Sequence, residues 1–207
     1  MNFYKTNLMK KIATIGLVAF LLFSCENPVS KKIKETKEGV TNTTKAYKEL
    51  NKMGDDIKEL QEIEPLTNEE MKAWLPDEIN GMKRTGYKAG QAAYMQIANV
   101  EATYSNADKS KTFKVNVLDG AGQMGASATA GARMMLSMDM EEEDEYKVKR
   151  TVKKGDMKAM EEYKKKNNNT PIQLMHGKRF YIQAYGTNMD VDETWDAIDE
   201  LDLDDLG

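Results

Sequence analysis

Residues 112–118, Thr112-Phe113-Lys114-Val115-Asn116-Val117-Leu118, place apolar side chains at every second position over most of their length. Successive side chains of a strand point to opposite faces, so this stretch predicts a sheet with one face on a core and the other in water. Antiparallel sheets tolerate such one-sided burial, whereas parallel sheets covered by helices need strands that are apolar on both faces. Working outward, Ser105-Asn106-Ala107-Asp108-Lys109-Ser110 is a polar turn segment, and the run from Tyr94 to Tyr104 supplies the partner strand of a hairpin. Further on, Tyr146, Val148, Arg150 and Val152 alternate with Lys147, Lys149, Thr151 and Lys153, a second half-exposed strand. Pro171 to Met175 and Arg179 to Tyr185 pair as another hairpin about His176-Gly177-Lys178. Met157 to Lys164 fits strand and helix alike.

Helix signals separate these strands. Thr67 followed by Glu70 is a capping box, in which each side chain satisfies the other residue's backbone N–H, and a short helix runs from it through Trp74. Gly125 to Met140 has Ala, Met and Leu at helical density and no proline. Asp190 and Glu193 open a terminal helix that turns Val191, Trp195, Ile198 and Leu201 inward. Upstream, Thr43, Ala46, Leu50, Met53, Ile57 and Leu60 recur at steps of three and four and form one stripe of a helix that ends before Pro65. The expected fold class is therefore α+β: an antiparallel sheet of about five or six strands with two helices packed on one face, preceded by a helical tether segment. The expected division is 1–24 as a leader, 25–42 as a polar tether, 43–64 as the amphipathic helix and 65–207 as the globular domain.

The leader follows from charge and length. Lys5, Lys10 and Lys11 precede an apolar run from Ile12 to Phe23, with no acidic residue before Glu26. A run of 12 residues is shorter than the roughly 20 helical residues that a bilayer core demands, which suits a secretory h-region. Leu22-Phe23-Ser24-Cys25 then resembles the lipobox of bacterial membrane lipoproteins of the Bacteroidetes type, with the bulky Phe23 a departure from the usual residue there. The resemblance implies lipidation of the Cys25 thiol, cleavage before Cys25 and attachment to the membrane through the N-terminal lipid. Cys25 is also the only cysteine in the chain. Acidic residues right after the lipidated cysteine imply surface export in such lipoproteins. Glu26 stands alone and Lys31-Lys32 follow, so the expected location is the outer membrane, facing the periplasm. Leu75-Pro76, Gly81-Met82-Lys83-Arg84 and Arg179-Phe180 give the body a loose likeness to other uncharacterised bacterial lipoproteins, which implies no activity.

Composition narrows the function classes. One cysteine and one histidine rule out a disulfide framework and a zinc cluster, and a mean hydropathy of −0.67 rules out a polytopic membrane protein. The net charge of −4 becomes more negative once Lys5, Lys10 and Lys11 are removed, so nucleic acid is not an expected partner.

Three motifs carry chemistry at first sight. Gly120-Ala121-Gly122-Gln123-Met124-Gly125 has the spacing of a dinucleotide-binding turn between strand and helix, yet Lys114 and Asn116 make the preceding strand amphipathic, unlike the buried first strand of that fold. Gly125-Ala126-Ser127-Ala128-Thr129 begins like a nucleophile elbow, but Thr129 stands where the strained turn needs glycine, and His176 is the one histidine that could serve Ser127. The crowded Met134, Met135, Met138 and Met140 suggest soft-metal ligands, but methionine more simply fills an apolar core. No cofactor, metal or catalytic residue is assigned. The leading expectation is a non-catalytic, lipid-anchored envelope protein that binds an envelope protein or an apolar ligand. Its crevice is expected to be lined by Met134, Met135 and Met138 above Phe180 and Ile182, with Tyr181 and Tyr185 presenting the other face. The alternative is an envelope enzyme built on the turn Gly120–Ser127.

Overall fold

The computed structural model describes residues 47–90, 97–155 and 157–207. The leader, Cys25, the polar tether and residues 43–46 lie outside the described residues. The chain divides into two units, Met1–Leu50 and Asn51–Gly207. Residues 47–50 of the first are helical. The second unit opens with helix α1 (residues 51–61), along which Met53 and Ile57 are half-buried and Leu60 is buried; Leu50, read from the sequence as part of the same stripe, is exposed.

The Thr67–Glu70 capping box forms as expected and starts α2 (Asn68–Trp74). Nine strands follow in a single antiparallel sheet: β1 (Glu78–Ile79), β2 (Met82–Ala89), β3 (Asn99–Ser105), β4 (Thr112–Asp119), β5 (Glu141–Glu143), β6 (Lys147–Lys154), β7 (Met157–Lys164), β8 (Asn169–His176) and β9 (Phe180–Thr187). Their spatial order is β1-β2-β3-β4-β9-β8-β7-β6-β5. Two meanders are thus joined where β4 pairs with β9, and α3 (Gly122–Ser137) carries the chain from the middle of the sheet to its far edge. The terminal helix α4 (Val191–Asp199) has the expected capping box at Asp190 and Glu193.

An α+β fold on an antiparallel sheet is what the alternating strands require. The expected five or six strands and two helices are corrected to nine strands and four helices among the described residues. The extra strands are those whose sequence hides them. β2 is exposed at most positions, β5 consists of three glutamates, and β1 is two residues long.

Register shows how the layers form. Val100 pairs with Val117, Val117 with Ile182, Ile182 with Leu174 and Leu174 with Ala159, an apolar row across five strands. Met71 and Leu75 from the α2 region, together with Trp195, Ala197 and Ile198 of α4, close over this face in one buried cluster. Each large apolar side chain buried there contributes about 1.5–3 kcal/mol. The C-terminal end of α3 lies against the opposite face, where the expectation had both helices on one. Lys158 and Met160 alternate with the inward Ala159 and Glu161, and Lys158 Nζ donates to Ser137 O at the end of α3. Thr151, paired with Met160, donates its hydroxyl to Met138 O. Met160 and Leu136 are buried yet stand apart from the main cluster.

Candidate functional site

The glycine-rich turn has a structural reading at each glycine. A Cβ on Gly120 would lie 2.5 Å from Arg179 O, and one on Gly125 would lie 2.5 Å from Asp119 O. Gly122 has φ +72°, a left-handed conformation that suits glycine. These contacts let α3 start directly against the end of β4. Both neighbours of β4, β3 and β9, run antiparallel to it, so the motif lies outside the parallel βαβ unit that a dinucleotide turn serves. Ser127 Oγ donates to Gln123 O within the helix.

Asp119, fully buried, organises this junction. Arg179 donates from Nε to its Oδ1 and from Nη2 to its Oδ2, both at 2.7 Å, a bidentate pair. Leu66 N donates to Oδ2 and Ala121 N to Oδ1, each at 2.9 Å, so the same carboxylate ties β4, β9, the entry to α2 and the start of α3. A second buried carboxylate, Glu161, accepts from Arg150 Nε at 2.6 Å and from Trp195 Nε1 at 2.9 Å, which fixes α4 to the sheet. Neither carboxylate was singled out by sequence reasoning. An aspartate closing the alternating strand and a glutamate within a lysine-rich one look like surface residues until the pairing is known.

The crevice expected from the sequence is not assembled. Phe180 and Ile182 are buried in the main core under α2 and α4. Met134 and Met138 are 57% and 48% exposed, and Met135 is half-buried. The reason is helical phase: the buried stripe of α3 is Gly125, Ala126, Thr129, Arg133 and Leu136, which turns Met134 and Met138 to solvent. On the sheet face opposite the main core, Tyr181 and Tyr185 are half-buried, and burial pushes the Tyr181 phenol above its ordinary value. Tyr181 donates its hydroxyl to Gln173 Oε1 at 2.6 Å.

A different cavity opens at one end of the sheet, between the C-terminal half of α3 and the end of α4. Its volume is about 810 Å³. Leu136, Met157, Met175, Ile198 and Leu203 give it apolar walls, and the turns after β6 and β8 bring Lys154, Lys158, His176 and Lys178 to its rim. Asp199, Asp202 and Asp204 line it too. The rim lysines are engaged, Lys158 with Asp139 at 2.8 Å, Lys178 with Asp56 at 3.0 Å and Lys154 with Asp199 at 3.7 Å, while His176 Nε2 lies 3.6 Å from Asp204 Oδ1. The Asp56 carboxylate holds the Lys178 ammonium above its ordinary pKa.

Arg133 differs from these. It is 9% exposed, its Nη2 donates to Thr129 Oγ1 at 3.3 Å, and its Nε is buried without a hydrogen-bond partner among the described residues. Burial pushes the guanidinium below its usual pKa, and the field of Asp56 opposes that shift. The sequence signal was available: Arg133 is the one charged residue in α3, and it lies on the helix's small-residue stripe.

Among the described residues no three His, Cys, Asp or Glu side chains gather into a metal site, and no helix is long and apolar enough to cross a membrane. Comparison with known proteins gives no match to a protein-family model, a curated protein or a solved structure.

Proposed function

We propose that this chain is a lipid-anchored protein of the bacterial cell envelope, attached through Cys25 and facing the periplasm, whose folded unit binds an apolar ligand without catalysing a reaction. The cavity of about 810 Å³ between α3 and α4 carries the reading. Its volume falls in the range of small-molecule sites, and its apolar walls come from α3, β7, β8, α4 and the short 3-10 helix Leu203–Asp205. Met157 and Met175 suit the role because a thioether side chain adapts to several packings. The anchor is supported by the sequence pattern around Cys25, and two or three acyl chains hold a protein on a membrane where a single one does so only marginally.

Titration of the purified full chain, in zwitterionic-lipid nanodiscs, with 1-octanol tests the binding. Carbon-13 labelled methionine methyls report it: Met157 and Met175 are expected to shift saturably while Met71, buried in the main core from α2, stays fixed. Unmoved Met157 and Met175 signals overturn the ligand reading. Cys25→Ser is expected to abolish lipid labelling and release the protein from the membrane fraction, and a variant that stays membrane-bound overturns the anchor.

A further inference from the structure

Resting on the cavity reading, one observation specifies the ligand's chemistry. Arg133 lines the cavity while only 9% exposed, its Nη2 beside Gly120 and Thr129, and no carboxylate among the described residues lies within ion-pair distance of it. Asp56, the acid whose field reaches it, is held by Lys178. A buried cation without a counter-ion is costly, and an arginine does not shed its proton near neutral pH. Among the described residues the one hydrogen bond to the guanidinium is that with Thr129. Such an arrangement persists when an anion from outside completes it.

The rest of the cavity limits which anion fits. Lys154, Lys158 and Lys178 are each already paired, so they add no open positive site. Asp202 and Asp204 line the same space with no lysine or arginine partner among the described residues and repel a multiply charged group. A single negative charge suits the balance. Leu136, Met157, Met175, Ile198 and Leu203 offer an apolar surface continuous with the arginine. A neutral apolar ligand would fill that surface and leave the guanidinium uncompensated. We propose that the cavity takes an amphipathic monocarboxylate, with its carboxylate on Arg133 and its hydrocarbon chain between α3 and α4. Carboxylate geometry matches the planar guanidinium, which donates to it as a fork where two N–H groups are free.

The test titrates the full chain in zwitterionic-lipid nanodiscs with three probes of equal chain length: octanoate, 1-octanol and octyl phosphate. The methionine methyls of Met157 and Met175 report binding. Octanoate is expected to bind at least tenfold more tightly than either of the others. In Arg133→Met the octanoate affinity is expected to fall at least tenfold, to that of octanol. The thermal midpoint of the variant is expected to be no lower than that of the wild type, because an uncompensated charge is replaced by a thioether of similar length. Met175→Trp, which keeps Arg133 but fills the cavity, is expected to lose both octanoate and octanol. Equal binding of octanoate and octanol to the wild type would refute the charge assignment and leave the apolar-ligand reading standing. Tighter binding of octyl phosphate would refute the monocarboxylate class. Undiminished octanoate binding in either variant would refute the site, a lowered thermal midpoint in Arg133→Met would make the guanidinium structural, and silence with all three probes would refute both readings.

Discussion

Asp119 concentrates four hydrogen bonds on one fully buried carboxylate, two of them from Arg179. Forming such a pair adds little net stability over an apolar replacement, but removing one partner strands the other. Asp119→Ala is therefore expected to lose about 3–5 kcal/mol of unfolding free energy, measured by urea denaturation. The double variant Asp119→Ala/Arg179→Met is expected to lose clearly less than the two single losses combined, and strict additivity would show the residues to be energetically independent. Residues of this kind were the least legible in the sequence. Arg179-Phe180 stood out as a landmark, but its partner lies 60 positions away, and only the β4–β9 register brings the two together. Arg133 was legible in principle as a lone charge within a helix, yet its meaning depends on its lacking a carboxylate partner among the described residues, which no local pattern encodes.

Among the elements, α3 depends most on small residues. Its first turn meets the end of β4 so closely that a single methyl on Gly125 would fall 2.5 Å from Asp119 O and 3.0 Å from the carbonyl carbon of Gly120, both backbone. Backbone yields less readily than a side-chain tip, so Gly125→Ala is expected to cost about 1–3 kcal/mol despite alanine's better helix propensity. Gly131, whose Cβ would meet nothing within 4 Å, is the control: Gly131→Ala is expected to be neutral or stabilising by up to about 1 kcal/mol in the same urea measurement. Equal effects at the two sites would refute the close-approach account. The strands with strict alternation, β4 and the β8–β9 hairpin, and both capping boxes were readable because their signals are local. β5 was not, since Glu141-Glu142-Glu143 has no apolar side chain and becomes a strand only by pairing with β6. The phase of α3 was missed for a related reason: Met134, Met135 and Met138 crowd its C-terminal end, whereas the buried stripe is set mostly by the small Gly125, Ala126 and Thr129, which permit close approach, and ends in Arg133 and Leu136.

The whole molecule carries its surface charge as a distributed set of partnerships, and these set its response to pH. Hydrogen bonds from Lys114 to Glu101, from Ser110 to Asp108, from Lys158 to Asp139 and from the Tyr146 and Lys147 amides to Asp144 hold these carboxyls below their ordinary values. A carboxyl lowered on folding stabilises the fold above its unfolded pKa, and the gain is lost as pH falls through the lower, folded value. Lys147 and Lys178 are raised by Glu142 and Asp56, so their contribution is present below the usual lysine value and is lost as pH rises through the raised one. The urea midpoint is expected to be flat between about pH 5 and 9 and to fall on the acid side below about pH 4, with a shallower acid limb in Glu101→Gln. An acid limb unchanged by that substitution would remove Glu101 from the account.

The two outer strands of the sheet differ from its interior in a way that matters when many copies share a crowded surface. β1 has only two residues, and β5 is three exposed glutamates, two of them gripped by Lys147 and Lys165 of the same chain. A neighbour attempting to extend the sheet at β5 would have to strip hydrated, charged side chains before reaching the backbone, and at β1 it would find almost no backbone to reach. Both outer strands among the described residues therefore disfavour strand addition by a second copy.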